Sequence, residues 1–226
     1  MIARYVTSTY EIEDTYKKIW LNAKDAKVKI ESSDDDHTKL FLFEKKRAPY
    51  GFFIQDGTLT IQSAKTKWYH FLKIGIDRSE IRLCVPKATL EAISVRSNVG
   101  KVDISSIVCN GTIEVEVNTG RVNLENVFCK DFDSKGNTGS ISLNQLIAKE
   151  RIFIKRRTGK VILNDCAAPE ISVKTNTGGV GGRLPANMMF IIRTNTGRVE
   201  IPKVPVGEAI CGRCEIKTNT GNIRFE

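Results

Sequence analysis

The chain is poor in the residue that most often runs acid–base chemistry: two of its 226 residues are histidine. His37 follows the acidic turn Asp34-Asp35-Asp36, and His70 lies in the aromatic stretch Trp68-Tyr69-His70-Phe71. Neither has a serine or cysteine partner in phase with it, so both read as surface or packing residues. Phosphate-binding loops, zinc-protease helices and nucleophile elbows are missing as well, which removes the common routes to nucleotide, metalloprotease and serine-hydrolase chemistry. The three aspartates lack the alternating ligands and terminal glutamate of a calcium loop and read as a solvated turn. No apolar run approaches the ~18–20 residues that span a bilayer, and Met1-Ile2-Ala3-Arg4-Tyr5-Val6-Thr7 lacks the apolar core of a signal peptide. The expectation is a cytoplasmic protein as written, or a cell-surface one if a leader has been removed.

Cysteine is present but not patterned. Six cysteines in a chain of this length read as reduced, largely buried thiols. Cys211-x-x-Cys214 has the spacing of half a zinc site, yet no second pair or histidine completes four ligands, so no metal and no cofactor are expected. Cys109 and Cys129 occupy equivalent repeat positions and should be stacked neighbours.

What the chain does contain is a repeated phrase. Asn118-Thr119-Gly120, Asn137-Thr138-Gly139, Asn176-Thr177-Gly178, Asn195-Thr196-Gly197 and Asn219-Thr220-Gly221 are joined by two altered copies, Asn98-Val99-Gly100 and Arg157-Thr158-Gly159. Successive glycines are 20, 19, 20, 19, 19 and 24 residues apart. A period near 20 in a strand-rich chain implies one coil per repeat, each stacked on the last. Counting from each glycine, position −7 holds Ile93, Ile113, Phe132, Ile152, Ile171, Phe190 and Cys214, and +2 holds Val102, Val122, Ile141, Val161, Val180, Val199 and Ile223. Positions −5, +4 and +7 are also largely apolar, the last including Ile107, Val127, Leu146, Cys166 and Val204. The residues between are mostly polar, the period-two alternation of half-buried strands. About five buried side chains per coil, each worth roughly 1.5–3 kcal/mol, suffice to hold coils together.

Glycine reaches positive φ freely and asparagine tolerates it, so the phrase turns the chain sharply between strands. Equivalent residues one coil apart would lie about 4.8 Å from each other, close enough for an asparagine ladder that Arg157 interrupts. The same phrase is also a hairpin signal, but hairpins give no reason for a constant apolar register. The expected fold is therefore all-β, a single-stranded parallel solenoid of about seven coils over residues 91–226. Residues 1–90 lack the glycine period and read as an irregular β-rich cap, with strands at Arg4–Ile12, Ala26–Glu31, Leu40–Lys45, Gly51–Gln55, Thr58–Gln62, Phe71–Ile76 and Glu80–Val85. Tyr16–Lys27 is expected to be a short helix or a loop. At the other end the chain stops in mid-coil at Ile223–Phe225, and this strand is expected to be an edge that the preceding loop covers or another copy meets.

The lead Glu80-Ile81-Arg82-Leu83-Cys84-Val85-Pro86, followed by repeated strand–Asn-Thr-Gly–strand units, resembles the bacterial putative-adhesin domains of unknown function built from β-strand repeats. The resemblance spans nearly the whole chain and implies a β-helix-like fold. For function it implies little beyond binding, with some members attached to cell-envelope stress systems.

The outward positions carry one non-random feature. Position −4 reads Arg96, Glu116, Lys135, Lys155, Lys174, Arg193 and Lys217, and +1 reads Lys101, Arg121, Ser140, Lys160, Gly179, Arg198 and Asn222. With a formal charge of +9, these basic columns either keep the outward faces soluble and discourage edge pairing, or bind an extended polyanion such as teichoic acid, an anionic polysaccharide, nucleic acid or an acidic membrane surface. Stacked aromatics of a single-strand nucleic-acid platform are missing from them. The expectation is a non-enzymatic scaffold or binding module that contacts an unknown protein or an anionic polymer. Its alternatives are a self-assembling, bactofilin-like structural protein and, further off, a polysaccharide lyase or hydrolase. Against the last, the outward carboxylates Asp103, Glu114, Glu116 and Asp165 fall in different columns.

Overall fold

The computed structural model describes residues 5–63, 79–203 and 207–226. The strand expected at Phe71–Ile76, His70 with its aromatic neighbours, and Val204 lie outside the described residues. Among the described residues every element is a strand, and all belong to one 17-stranded sheet. The first seven are β1 (Tyr5–Ile12), β2 (Lys18–Lys24), β3 (Lys27–Ser33), β4 (Thr38–Lys45), β5 (Tyr50–Gln55), β6 (Thr58–Ser63) and β7 (Glu80–Pro86). The repeats supply β8 (Ala92–Ser105), β9 (Thr112–Thr138), β10 (Ile141–Thr158), β11 (Val161–Asn164), β12 (Glu170–Thr177), β13 (Val180–Arg183), β14 (Met188–Thr196), β15 (Val199–Glu200), β16 (Gly212–Thr220) and β17 (Ile223–Phe225).

Alternation decides which side chains turn inward. Val122 pairs in parallel with Ile141, and Ile141 with Val161, so apolar residues one repeat apart become direct neighbours. Ile93, Val95, Ile113, Val115, Phe132, Ile152, Ile154, Ile171 and Val173 are all at most 1% exposed. The seventh position after glycine is likewise buried at Ile107, Val127, Leu146 and Cys166. It follows a second corner at Ser106, Asn126, Gln145 and Asp165, each with φ between 52° and 55°. A polar residue six places after the glycine was that corner's only mark in the sequence.

The glycine corner is tighter than a turn preference requires. Gly139 has φ +130°, and a β-carbon there would lie 1.6 Å from the carbonyl oxygen of Gly120. Gly120 stands in the same relation to Gly100, Gly159 to Gly139, Gly178 to Gly159, Gly221 to Gly178, and Gly197 to Gly221. Beside this column Asn118 donates its amide to Asn98 at 3.1 Å, Asn137 to Asn118 at 2.5 Å and Asn219 to Asn176 at 2.6 Å. The ladder is interrupted between Asn137 and Asn176, where Arg157 stands.

The glycine contacts also show that spatial order departs from chain order. β16 pairs with β12 on one side and β14 on the other, and β17 lies between β13 and β15. The last coil is therefore inserted beneath the one before it. The expected edge at Ile223–Phe225 is overturned: Ile223 and Phe225 are 0% and 3% exposed. Among the described residues the terminal rung is instead 188–200; Val199, aligned with the buried Ile223, is 44% exposed there, and the adjoining Ile201 is 43% exposed. The long 24-residue step between Gly197 and Gly221 supplies the chain needed to step back over a rung.

A corresponding exchange occurs at the other end. β2 and β3 stack in parallel on β8, while β6 and β7 stack on β2 and β3. Rung geometry thus begins well before the glycine period, and the helix or loop expected over Tyr16–Lys27 is replaced by strand. Ile19, Leu21 and Ala23 alternate inward at 2%, 0% and 0% exposure, and this burial outweighs any local helical tendency. Antiparallel strands close this end: β5 on β6, β4 on β7 and β1 on β4.

One buried cation interrupts the apolar interior. Arg156 is 2% exposed and occupies the space left by Gly136; its guanidinium donates to the Val117 carbonyl at 2.7 Å and the Ser134 hydroxyl at 3.2 Å. Its Nε finds no partner among the described residues, and desolvation lowers its pKa to about 10.

Two stability outcomes follow. Gly139→Ala should cost at least ~3 kcal/mol in denaturant unfolding, because both φ and the Gly120 carbonyl oppose a β-carbon, whereas Gly51→Ala, with nothing within 4 Å of the new carbon, should stay within about 0.5 kcal/mol. Arg156→Met should destabilise by about 1–3 kcal/mol by stranding the Val117 carbonyl; an increase in stability would show that desolvation of the guanidinium outweighs its hydrogen bonds.

Candidate functional site

The outward columns follow from the same register. Lys135 pairs with Lys155, Lys155 with Lys174, Lys174 with Lys217 and Lys217 with Arg193. Inserting the last coil joins Lys174 to Lys217 and leaves Arg193 at the end; as in chain order, five cations succeed one another without interruption. At ~4.8 Å between rungs, two unit charges repel by about 1 kcal/mol in a water-like medium, and an anion lying along the column relieves this. Lys135 is paired to Asp133 at 3.3 Å, but Lys155, Lys174, Lys217 and Arg193 have no carboxylate within 4.0 Å among the described residues. Lys174 lies over the ring of Phe153, 5.7 Å from its centroid. Arg157, next to Lys155 on the same outward face, adds a cation that inspection of the −4 and +1 columns alone missed.

The rest of the predicted basic set is more scattered. Arg96 reaches Glu116 at 3.6 Å and Lys101 reaches Asp103 at 2.8 Å, so the start of each column is neutralised. Lys101 and Arg121 are paired neighbours. Lys160 and Arg198 are separated by Gly179 and Asn222, whose carbonyls accept from Val161 and Val180 in the intervening rungs. The −4 column is continuous where the +1 column is broken.

Past the corner from Lys160 the surface falls into a trough of about 860 Å³. Its floor is formed by Gly179, Gly181 and Gly182, and Ile162 and Arg224 flank Gly181 on the adjoining rungs. Arg183 grips Asp165 through two hydrogen bonds of 2.7 and 2.6 Å, and that pairing holds the Asp165 carboxyl below its usual range. Arg224 lies 3.4 Å from both Glu200 and Glu226. Asn164 donates to Asn144 at 3.0 Å, and the Asn222 amide oxygen accepts the Arg198 backbone N–H at 3.0 Å. The glycines were visible in the sequence as a departure from the apolar pattern; the trough they open was not.

The thiols take no part in either surface. Cys84, Cys109, Cys129, Cys166 and Cys214 are buried and free, and burial pushes Cys129 and Cys214 up to about 12 and Cys166 to about 11. Cys211 is exposed while Cys214 is in the core. Among the described residues no group of three or more His, Cys, Asp or Glu side chains gathers as a metal site. No described helix is long and apolar enough to cross a membrane.

Repeated parallel rungs, a glycine corner and a charged outer column define a repeat-like all-β protein. The Toastrack DUF4097 family model matches residues 16–182, and the chain belongs to that family. Among solved structures, a putative adhesin from Bacteroides fragilis NCTC 9343 shares the fold: 16% identity, 99% of this chain and 97% of that one covered, TM-score 0.53. A putative adhesin from Parabacteroides distasonis ATCC 8503 is 14% identical over 99% of this chain and 98% of that one, with a TM-score of 0.45. A putative lipid binding protein from the same strain is 14% identical over 97% and 96%, with a TM-score of 0.40. No curated protein matches the sequence.

Proposed function

We propose that this protein is a non-enzymatic binding module, a solenoid of about seven Asn-Thr-Gly coils whose basic corner holds an extended anionic polymer. The observation that carries this is the uninterrupted column Lys135, Lys155, Lys174, Lys217 and Arg193, four of whose members have no carboxylate within 4.0 Å among the described residues. A rigid row of cations with a fixed repeat favours a chain of negative charges over a single compact anion. Support for a non-catalytic role comes from the nearby acids: Asp103, Glu116 and Asp165 are each engaged with a cation, at 2.8, 3.6 and 2.6 Å respectively. The putative-adhesin descriptions of structural relatives agree with binding as the general role. Replacing Lys155, Lys174 and Lys217 together by Glu should lower affinity for linear polyphosphate at least tenfold and flatten its salt dependence, with circular dichroism unchanged. Undiminished binding by a folded triple variant removes the corner as the contact surface.

A second reading, self-association, is favoured by a different observation. Among the described residues the rung of β14 and β15 is paired on one side only, and Val199 and the adjoining Ile201 are more than 40% exposed. Such an edge invites a further strand. If copies meet there, light scattering should show mass rising with concentration, and Val199→Lys with Ile201→Lys should suppress the rise. A monomer at all concentrations excludes this reading.

A further inference from the structure

The trough beside the corner has a chemistry different from the corner's own. A surface selective for phosphate chains needs donors and cations; the trough alternates these with acceptors. Its lining holds Lys160, Arg183 and Arg224 against the carboxylates of Asp165 and Glu226, three positive charges against two negative. Asp165 and Glu226 repel a densely phosphorylated chain but accept hydrogen bonds from hydroxyl groups. The amides of Asn144 and Asn164 are tied to each other by a single bond, which leaves one amide's NH₂ and the other's carbonyl oxygen turned to further partners. Arg183 is engaged with Asp165, and Arg224 with Glu200 and Glu226; Lys160, with no carboxylate within 4.0 Å among the described residues, is left to meet one anionic group. The floor is backbone by necessity at Gly181, where a β-carbon would lie 2.2 Å from the Arg224 carbonyl oxygen. The Ile162 and Arg224 backbones are two strand spacings apart, roughly 9.6 Å, and above the bare Gly181 between them the walls leave room for the thickness of one sugar ring rather than for a further strand with its side chains.

We propose that this trough seats a single acidic pyranose ring of an anionic polysaccharide whose chain continues along the basic corner. The proposal rests on reading that corner as a polyanion contact, and it narrows the ligand from polyanions in general to uronic-acid-type glycans. The ring's hydroxyls bond Asn164, Asp165 and Glu226, its apolar face lies over the glycine floor beside Ile162, and its carboxylate is met by Lys160.

Gly179 is the floor position at which a side chain costs least: a β-carbon there meets the Asn222 carbonyl oxygen at 3.3 Å, so that rung has to give by a few tenths of an ångström, against 2.2 Å at Gly181 and 2.1 Å at Gly182. Calorimetric titration of the intact chain with tetragalacturonate, with linear polyphosphate of matched charge and with uncharged maltotetraose tests the proposal. Wild type should bind tetragalacturonate most tightly. Gly179→Phe should weaken it about tenfold or more, leaving polyphosphate within about twofold, and Asn164→Ala should act in the same direction if Gly179→Phe fails to fold. Equal loss for both anions, no loss for tetragalacturonate, or equal wild-type affinity for the two anions overturns the trough as a sugar seat. If the triple Glu variant of the corner still abolishes polyphosphate binding in those cases, the corner reading survives; if wild type binds neither anion, both fall together.

Discussion

The structure depends on a steric constraint that runs up one corner. Each rung places a glycine carbonyl where the next rung's β-carbon would be, from Gly100 through Gly120, Gly139, Gly159 and Gly178 to Gly221 and Gly197. Because nothing larger than hydrogen fits, adjacent backbones approach to sheet spacing at a sharp bend, and the strands on both sides are held in one register. That register aligns the apolar columns, the asparagine ladder and the outward charges at once. Burial of Val122, Ile141 and Val161 in sequence provides the free energy, but the corner decides which residue meets which.

Equivalent edges also make rungs interchangeable. A coil offers its neighbour the same pattern of backbone groups and the same core columns wherever it stands, so the chain can lay down one coil at a distance and fill the gap afterwards. It does so at both ends: β2 and β3 lie between β8 and the pair β6 and β7, and β16 and β17 lie between the pair β12 and β13 and the pair β14 and β15. At the second exchange Phe225 becomes core and packs against Phe190 with ring centroids 5.3 Å apart. The exchange conserves the columns while changing their order: in the basic row Lys217 comes to lie beside Lys174 and Arg193 becomes terminal, and the row is continuous in either order.

The character of the chain changes locally where the repeat is broken. Arg157 replaces an asparagine, Gly181 and Gly182 replace side chains that would fill a face, and Arg156 enters the core only because Gly136 makes room. A regular stack is a uniform surface, and the basic row is such a column; the trough and the extra cation Arg157 are departures from it. The buried Arg156 is different in kind, since its charge is hidden and its hydrogen bonds serve Val117 and Ser134 rather than a ligand.

The repeat phrase and the period-two columns were enough to read an all-β chain with equivalent residues in contact, because side-chain alternation and glycine stereochemistry are local properties. The same locality made the −4 and +1 columns legible as outward and basic. It failed at Tyr16–Lys27, where Ile19, Leu21 and Ala23 alternate without any glycine signal, and at Ile223–Phe225, where chain position suggested an edge. Which rung lies against which is not encoded in any single coil, since all coils present matching edges; only packing of the complete chain, with a linker long enough to step over a rung, selects the order. The sequence thus determined the cross-section of this protein and the character of its faces. The tertiary structure alone decided the succession of rungs, and with it which cation ends the basic row and where the glycine-floored trough opens, because both arise between residues brought together only by stacking.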